Sequence, residues 1–317
     1  MCKGAMLLSL IVSASIVPGS TALGAEAPTW AYPINPPGLT EAPDNDMPLR
    51  VPGSDATFTM RQINDLFFAP DWHPSDHPPM PDIVSKGRKP EVRACGSCHR
   101  TDGSGGPENA RIAGLPVDYF VQQMEDFKSG ARKSSVPGRE PVEVMDHTAK
   151  AISKEDVATA AAYFSAIKPS PAISVIEAEQ APKTKVTGWH LAIAPEGGTE
   201  PIGQRIIEVP DNLEYFTRRD GRARFKAYVP PGSLQKGQQL VDSESGACRA
   251  CHGPDLKGLD AIPGIAGRSP SYLMRQLHDF QTGARAGTGG DLMKPIVEKL
   301  STEQLLAIAA YVASLNP

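Results

Sequence analysis

Apolar residues recur at helical spacing in two distant parts of this chain: at Phe120, Met124 and Phe127 within residues 119–132, and at Leu273, Leu277 and Phe280 within residues 272–285. Each run has a proline near its first turn, Pro116 or Pro270, and stops at a glycine, Gly130 or Gly283. A further helix follows each, opened by a capping pattern, Ser153-x-x-Asp156 or Ser301-x-x-Gln304, and running through Tyr163-Phe164 or Tyr311-Val312. A less sharply marked helix is predicted ahead of each block, near residues 81–87 and 233–241. Between the blocks the period changes to two. Alternation in residues 187–194, 205–209 and 223–229, with turn signals at Gly197-Gly198 and Asp220-Gly221, predicts short strands.

The two helical blocks are copies of one another. The offset that carries Cys95 onto Cys248 also aligns residues 119–132 with 272–285, where seven of fourteen positions are identical: Tyr119/Tyr272, Gln123/Gln276, Asp126/Asp279, Phe127/Phe280, Gly130/Gly283, Ala131/Ala284 and Arg132/Arg285. Ile112-Ala113-Gly114 likewise matches Ile265-Ala266-Gly267. Beyond this helix the first copy carries five extra residues, in a predicted loop that holds a methionine in both copies, Met145 or Met293.

Residues 26–79 follow neither period and are rich in proline, so they read as an extended arm lying along the surface, with one helical hint at residues 59–68. His73 and His77 are separated by Pro74 and read as solvated loop side chains. Residues 1–25 hold Lys3, an apolar run over 5–17 and small residues ending at Ala25, which reads as a secretory signal peptide cleaved after Ala25 or Ala27. The run is shorter than the ~20 residues that a spanning helix needs. The predicted layout is a signal peptide (1–25), a proline-rich arm (26–79), a helical domain (80–168), a β-rich insert (169–231) and a second helical domain (232–317), in a mainly α, exported and periplasmic protein.

The chemistry sits at the start of each copy, in Cys95-Gly96-Ser97-Cys98-His99 and Cys248-Arg249-Ala250-Cys251-His252. Two cysteines three residues apart form thioethers to the two vinyl groups of one porphyrin, and the adjoining histidine reaches its iron. Cys-x-x-Cys alone also suits zinc or a redox dithiol, but a zinc ribbon would use both pairs together. With Cys2 removed in the leader, the two motifs use every remaining cysteine and leave none for disulfides. Composition agrees: 31 Pro and 29 Gly against 6% aromatics imply long connections and cores completed by something other than side chains. A formal charge of −4 argues against a nucleic-acid partner, and no Ser-His-Asp set, phosphate loop or carboxylate cluster suggests haem-free catalysis.

The order helix, Cys-x-x-Cys-His, Ala-Gly, middle helix, methionine loop and final helix resembles the class I c-type cytochromes. The doubled arrangement is similar to the tandem dihaem cytochromes of the c4 kind. The resemblance covers about residues 80–168 and 232–317. It implies two covalent haem c groups, held by Cys95, Cys98, Cys248 and Cys251, with His99 and His252 as proximal and Met145 and Met293 as distal iron ligands. It also implies a hydrogen bond from each proximal imidazole to a backbone carbonyl, for which Pro263 is suited; the matching residue in the first copy is Ala110, so the two sites are expected to differ. Two residues past Met145, His147 is a competing ligand, whereas His278 reads as a surface residue and Met124 and Met274 as core fillers. His190 and Trp189 are assigned no function.

A six-coordinate iron has no open position, so the implied function is single-electron transfer between a redox donor and acceptor rather than catalysis. Two alternatives stay open. One is a cytochrome subunit of a larger dehydrogenase or oxidase, including a membrane-bound respiratory complex. The other is a dihaem enzyme of peroxidase or thiosulfate-oxidising type with one open haem.

Overall fold

The computed structural model describes Met1 and residues 27–39, 43–243 and 248–317. The predicted leader, apart from Met1, lies outside the described residues. Among the described residues no helix is long and apolar enough to cross a membrane.

The first helical region contains α2 (Asp82–Ser85), α3 (Cys95–His99), α4 (Val117–Ser129), α5 (Glu140–Ala151) and α6 (Lys154–Ser165), preceded in the arm by α1 (Met60–Asn64). The repeat contains α8 (Ser233–Asp242), α9 (Cys248–His252), α10 (Pro270–Thr282), α11 (Thr288–Val297) and α12 (Thr302–Ser314), with a small hairpin of β8 (Gly258–Leu259) and β9 (Ile262–Pro263). The anticipated caps form: Ser153 Oγ accepts from Asp156 N, and Ser301 with Gln304 makes a full capping box. Both middle helices end at a left-handed glycine, Gly130 (φ 76°) or Gly283 (φ 78°). Each copy closes its own core, one around Ile83, Phe127 and Phe164, the other around Met274, Leu305 and Leu306. In the second, α8 crosses α12 at Gly237, where an added Cβ would lie 2.0 Å from the Ala307 carbonyl oxygen.

The insert provides β1 (Ile173–Glu177), β2 (Gln180–Pro182), β3 (Thr184–Thr187), β4 (His190–Ile193), β5 (Thr199–Pro201), β6 (Ile207–Pro210), α7 (Leu213–Thr217) and β7 (Phe225–Val229). Its main sheet has the order β1-β7-β6, with β1 parallel and β6 antiparallel to β7. The alternation over residues 187–194 spans a hairpin turn: β3 pairs with β4 across Gly188 and Trp189, both at positive φ. Strand β6 carries the buried Glu208 to the start of α10, where Oε2 accepts from Ser269 Oγ (2.7 Å) and Ser271 N (3.1 Å). A carboxylate at a helix N-terminus docks the insert on the second copy.

The arm has little regular structure, but its apolar residues are packed. Tyr32 lies in the core of the second copy, and Trp72 joins Val51, Met60 and Ile63 in a cluster of its own. Both arm histidines are paired, against the expectation of solvated loops: His73 Nε2 lies 3.0 Å from Asp220 Oδ1, and His77 Nε2 lies 3.1 Å from Asp71 Oδ1. His278 is also corrected, from surface to buried. The helix that carries it is covered on one side by its own core and on another by Tyr32, whose ring meets the imidazole edge-on.

The identical residues of the repeat form the seam between the copies. Arg132 donates to Gln123 Oε1 in its own copy and to Tyr272 Oη (2.9 Å) and Gln276 Oε1 (3.1 Å) in the other. Arg285 mirrors this with Gln276, Tyr119 (2.7 Å) and Gln123 (2.7 Å). Each guanidinium covers the phenylalanine of its own copy, Phe127 or Phe280. Reciprocal backbone bonds, Lys133 N to Ala284 O and Ala286 N to Ala131 O, complete a two-fold clasp.

Candidate haem sites

Both Cys-x-x-Cys-His segments form single helical turns, α3 and α9, which place the two cysteines of each on one side with the histidine last. None of these four thiols forms a disulfide. Burial pushes the Cys95 thiol up to about 12 and raises that of Cys248, which keeps both protonated. No three His, Cys, Asp or Glu side chains gather into a metal site among the described residues, so the pairs do not combine as a zinc ribbon would.

The two motif histidines are held through their Nδ1 atoms. His99 Nδ1 lies 2.9 Å from Ala110 O, and His252 Nδ1 lies 2.8 Å from Pro263 O. A carbonyl oxygen only accepts, so each Nδ1 carries the hydrogen and each Nε2 keeps its lone pair. Burial lowers both imidazole pKa values and favours the neutral, ligating form. Thioether-forming cysteines and a histidine oriented through its far nitrogen fit haem c. The replacement of proline by alanine in the first copy leaves this hydrogen bond intact.

The two methionines stand on helices rather than loops. Met145 lies within α5, which Pro141 in its first turn and the early acids Glu140 and Glu143 favour; Met293 lies within α11. Each is partly buried against the same core as the first cysteine of its copy, Met145 with Cys95 and Met293 with Cys248. His147, the competitor, is exposed on α5 and pairs with Glu91 at 3.0 Å. Met124 and Met274 are buried in the two cores.

Cover over the two turns differs, and this was not visible in the sequence. The arm runs beside α3, with Ala94 N bonded to Leu66 O and Ala69 N to Ser85 O. From the end of α7, Arg219 bonds Ile63 O and Ser97 O. Arg100 is buried over the Phe216 ring. Ser97 is consequently fully buried, whereas its counterpart Ala250 and the adjoining Cys251 are exposed. Contacts of Arg249 stay within the second copy, to Asp242, Pro254 O and Tyr311. No local spacing rule links residues 63–69 or 216–219 to a motif at 95–99.

Residues 234–316 match the Cytochrome c family. Over 232 residues, 71% of this chain and 86% of the relative, the sequence is 28% identical to cytochrome c4 of Azotobacter vinelandii. It is 27% identical over 233 residues to a thiosulfate dehydrogenase electron acceptor of Stutzerimonas stutzeri, covering 73% of this chain and 82% of that one. A shorter stretch of 74 residues, 23% of this chain, is 39% identical to 89% of cytochrome c-554(548) of Halomonas halodenitrificans.

Proposed function

The chain belongs to the c-type cytochromes, as a cytochrome c4-like class I member carrying two covalent haem c groups, and on that premise we propose an exported carrier passing single electrons between redox proteins. Cys95 and Cys98 hold one haem and Cys248 and Cys251 the other. Bound haem supplies a one-electron iron couple, whose potential is set by axial ligands, hydrogen bonds and burial. The proximal ligands are His99 and His252, and the distal ligands are Met145 and Met293. The observation that carries this reading is the matched pair of Nδ1–carbonyl bonds, which leaves both Nε2 atoms free to ligate. The soft, neutral thioether sulfur of each methionine would favour the ferrous state. With a histidine and a methionine both held to each iron, no position would be left there for substrate.

Export is supported by residues 1–25 and by the assignment of all four remaining cysteines to haem motifs. The partners are a redox protein that donates and one that accepts. The named electron acceptor among the relatives favours a dehydrogenase as donor. Anaerobic titration of the purified protein tests the carrier reading. Uptake of two electrons per chain, returned in full to another oxidised c-type cytochrome, is expected; sustained turnover of peroxide or thiosulfate by the chain alone would overturn it.

A further inference from the structure

The two proximal hydrogen bonds share a support. His99 bonds to Ala110 O, and the next residue is Arg111; His252 bonds to Pro263 O, and the next residue is Gly264. A single side chain, Arg268, takes the carbonyl oxygens of both following residues: Nε donates to Gly264 O at 2.5 Å and one terminal nitrogen donates to Arg111 O. Arg111 returns the contact across the seam, donating to Gly267 O (3.2 Å), and it also donates to Ser170 O (2.7 Å) just past its own copy. One peptide unit therefore separates each imidazole's acceptor from a carbonyl gripped by the same guanidinium.

The pair also carries charge without a bonded counter-ion. The Arg111 side chain is buried, yet neither Arg111 nor Arg268 belongs to an ion pair among the described residues. Asp102 and Glu208 act on Arg111 through space, and Tyr119 and Tyr272 on Arg268, but none of these bonds to either guanidinium. Burial, followed by the neighbouring Arg268, lowers the Arg111 pKa to about 10. Two like charges whose bonded partners are carbonyl oxygens call for an anion nearby. Each haem brings two carboxylates.

We propose that Arg111 and Arg268 are positioning residues that join the two haem sites, holding both proximal backbone segments as one unit and presenting a shared positive charge to the haem carboxylates. This rests on the reading of His99 and His252 as proximal ligands. Positive charge near both sites disfavours the oxidised, more positive iron, so removing it lowers both potentials together, although Arg268 belongs to the second copy alone.

The test is a spectroelectrochemical titration of the fully loaded protein, with the two haems resolved by their separate NMR haem-methyl signals. In Arg268→Gln both midpoints are expected to fall, each by about tenfold in the reduction equilibrium, or about 59 mV for one electron. Arg268→Lys retains the charge and should recover most of the fall at both haems. Arg111→Gln removes charge but keeps the Arg111 carbonyl for Arg268, so it makes the same prediction if Arg268→Gln does not load both haems. A shift confined to one haem, or none at either, overturns the coupling. The near-infrared methionine–iron band is followed in every variant: its absence from the wild type would refute the ligand reading instead, whereas its persistence with a one-haem shift would refute only the coupling.

Discussion

The two attachment turns have the same chemistry and the same histidine–carbonyl hydrogen bond but opposite surroundings. Around α3 the arm and α7 close over the backbone until Ser97 is fully buried; around α9 only the second copy's own residues approach, and Ala250 and Cys251 face solvent. The two copies hold equivalent motifs, and the segments outside them make their surroundings unequal. The difference also separates what haem attachment demands, namely a Cys-x-x-Cys-His turn and a carbonyl, from what this chain adds to one site.

Breaking the cover at its largest anchor should have the largest effect. Phe216 is buried beneath Arg100 and packs against His190 and Phe225, so Phe216→Ala is expected to cost about 3–5 kcal/mol of stability. Urea unfolding followed by fluorescence would measure this, with the arm becoming sensitive to protease. Matched positions within the two turns sharpen the contrast. A Cβ on Gly96 would lie 2.8 Å from Ala69 Cβ and 3.0 Å from Val84 O, so Gly96→Ala is expected to cost about 1–3 kcal/mol. At the equivalent position, Arg249→Ala loses a partly exposed pair and should cost no more than about 1 kcal/mol.

A smaller effect is expected from pH. Burial alone pulls the His77 imidazole pKa down, but the Asp71 carboxylate and the Pro78 carbonyl outweigh it and hold the value above the usual 6.5. A raised folded-state pKa gives stability that is complete below the unfolded value and is lost as pH climbs through the folded one. The melting temperature should therefore decline as pH rises above about 6.5, and His77→Gln should flatten that slope. An unchanged slope in the variant would show that the pH dependence does not come from His77, whose ring meets Tyr163, a residue bonded to Thr101 O just past the first motif.

Local chemistry was legible in the sequence and distant chemistry was not. Adjacent residues specify the two turns, and short-range rules fix the caps at Ser153 and Ser301 and the glycines that end α4 and α10. The carbonyl that holds each motif histidine could be placed too, because the family resemblance pointed to Pro263 and the repeat offset carried that position to Ala110. The seven identical positions of the middle helices marked a duplication, while their role as a two-fold clasp appeared only once Arg132 and Arg285 were seen to reach the opposite copy. His278 was misplaced because its covering group, Tyr32, comes from the far end of the chain. The methionine segments read as loops because prolines and glycines crowd them, yet Pro141 occupies the first turn of α5, where a proline is tolerated.

The most direct test of the account is the visible and near-infrared absorption spectrum of the purified protein, oxidised and then reduced, with carbon monoxide added to the reduced form. Histidine–methionine ligation at both haems predicts two low-spin centres, a methionine–iron charge-transfer band in the oxidised protein and no response to carbon monoxide. Carbon monoxide binding, or a high-spin component at either haem, would reveal an open iron and contradict the assignment of a pure electron carrier.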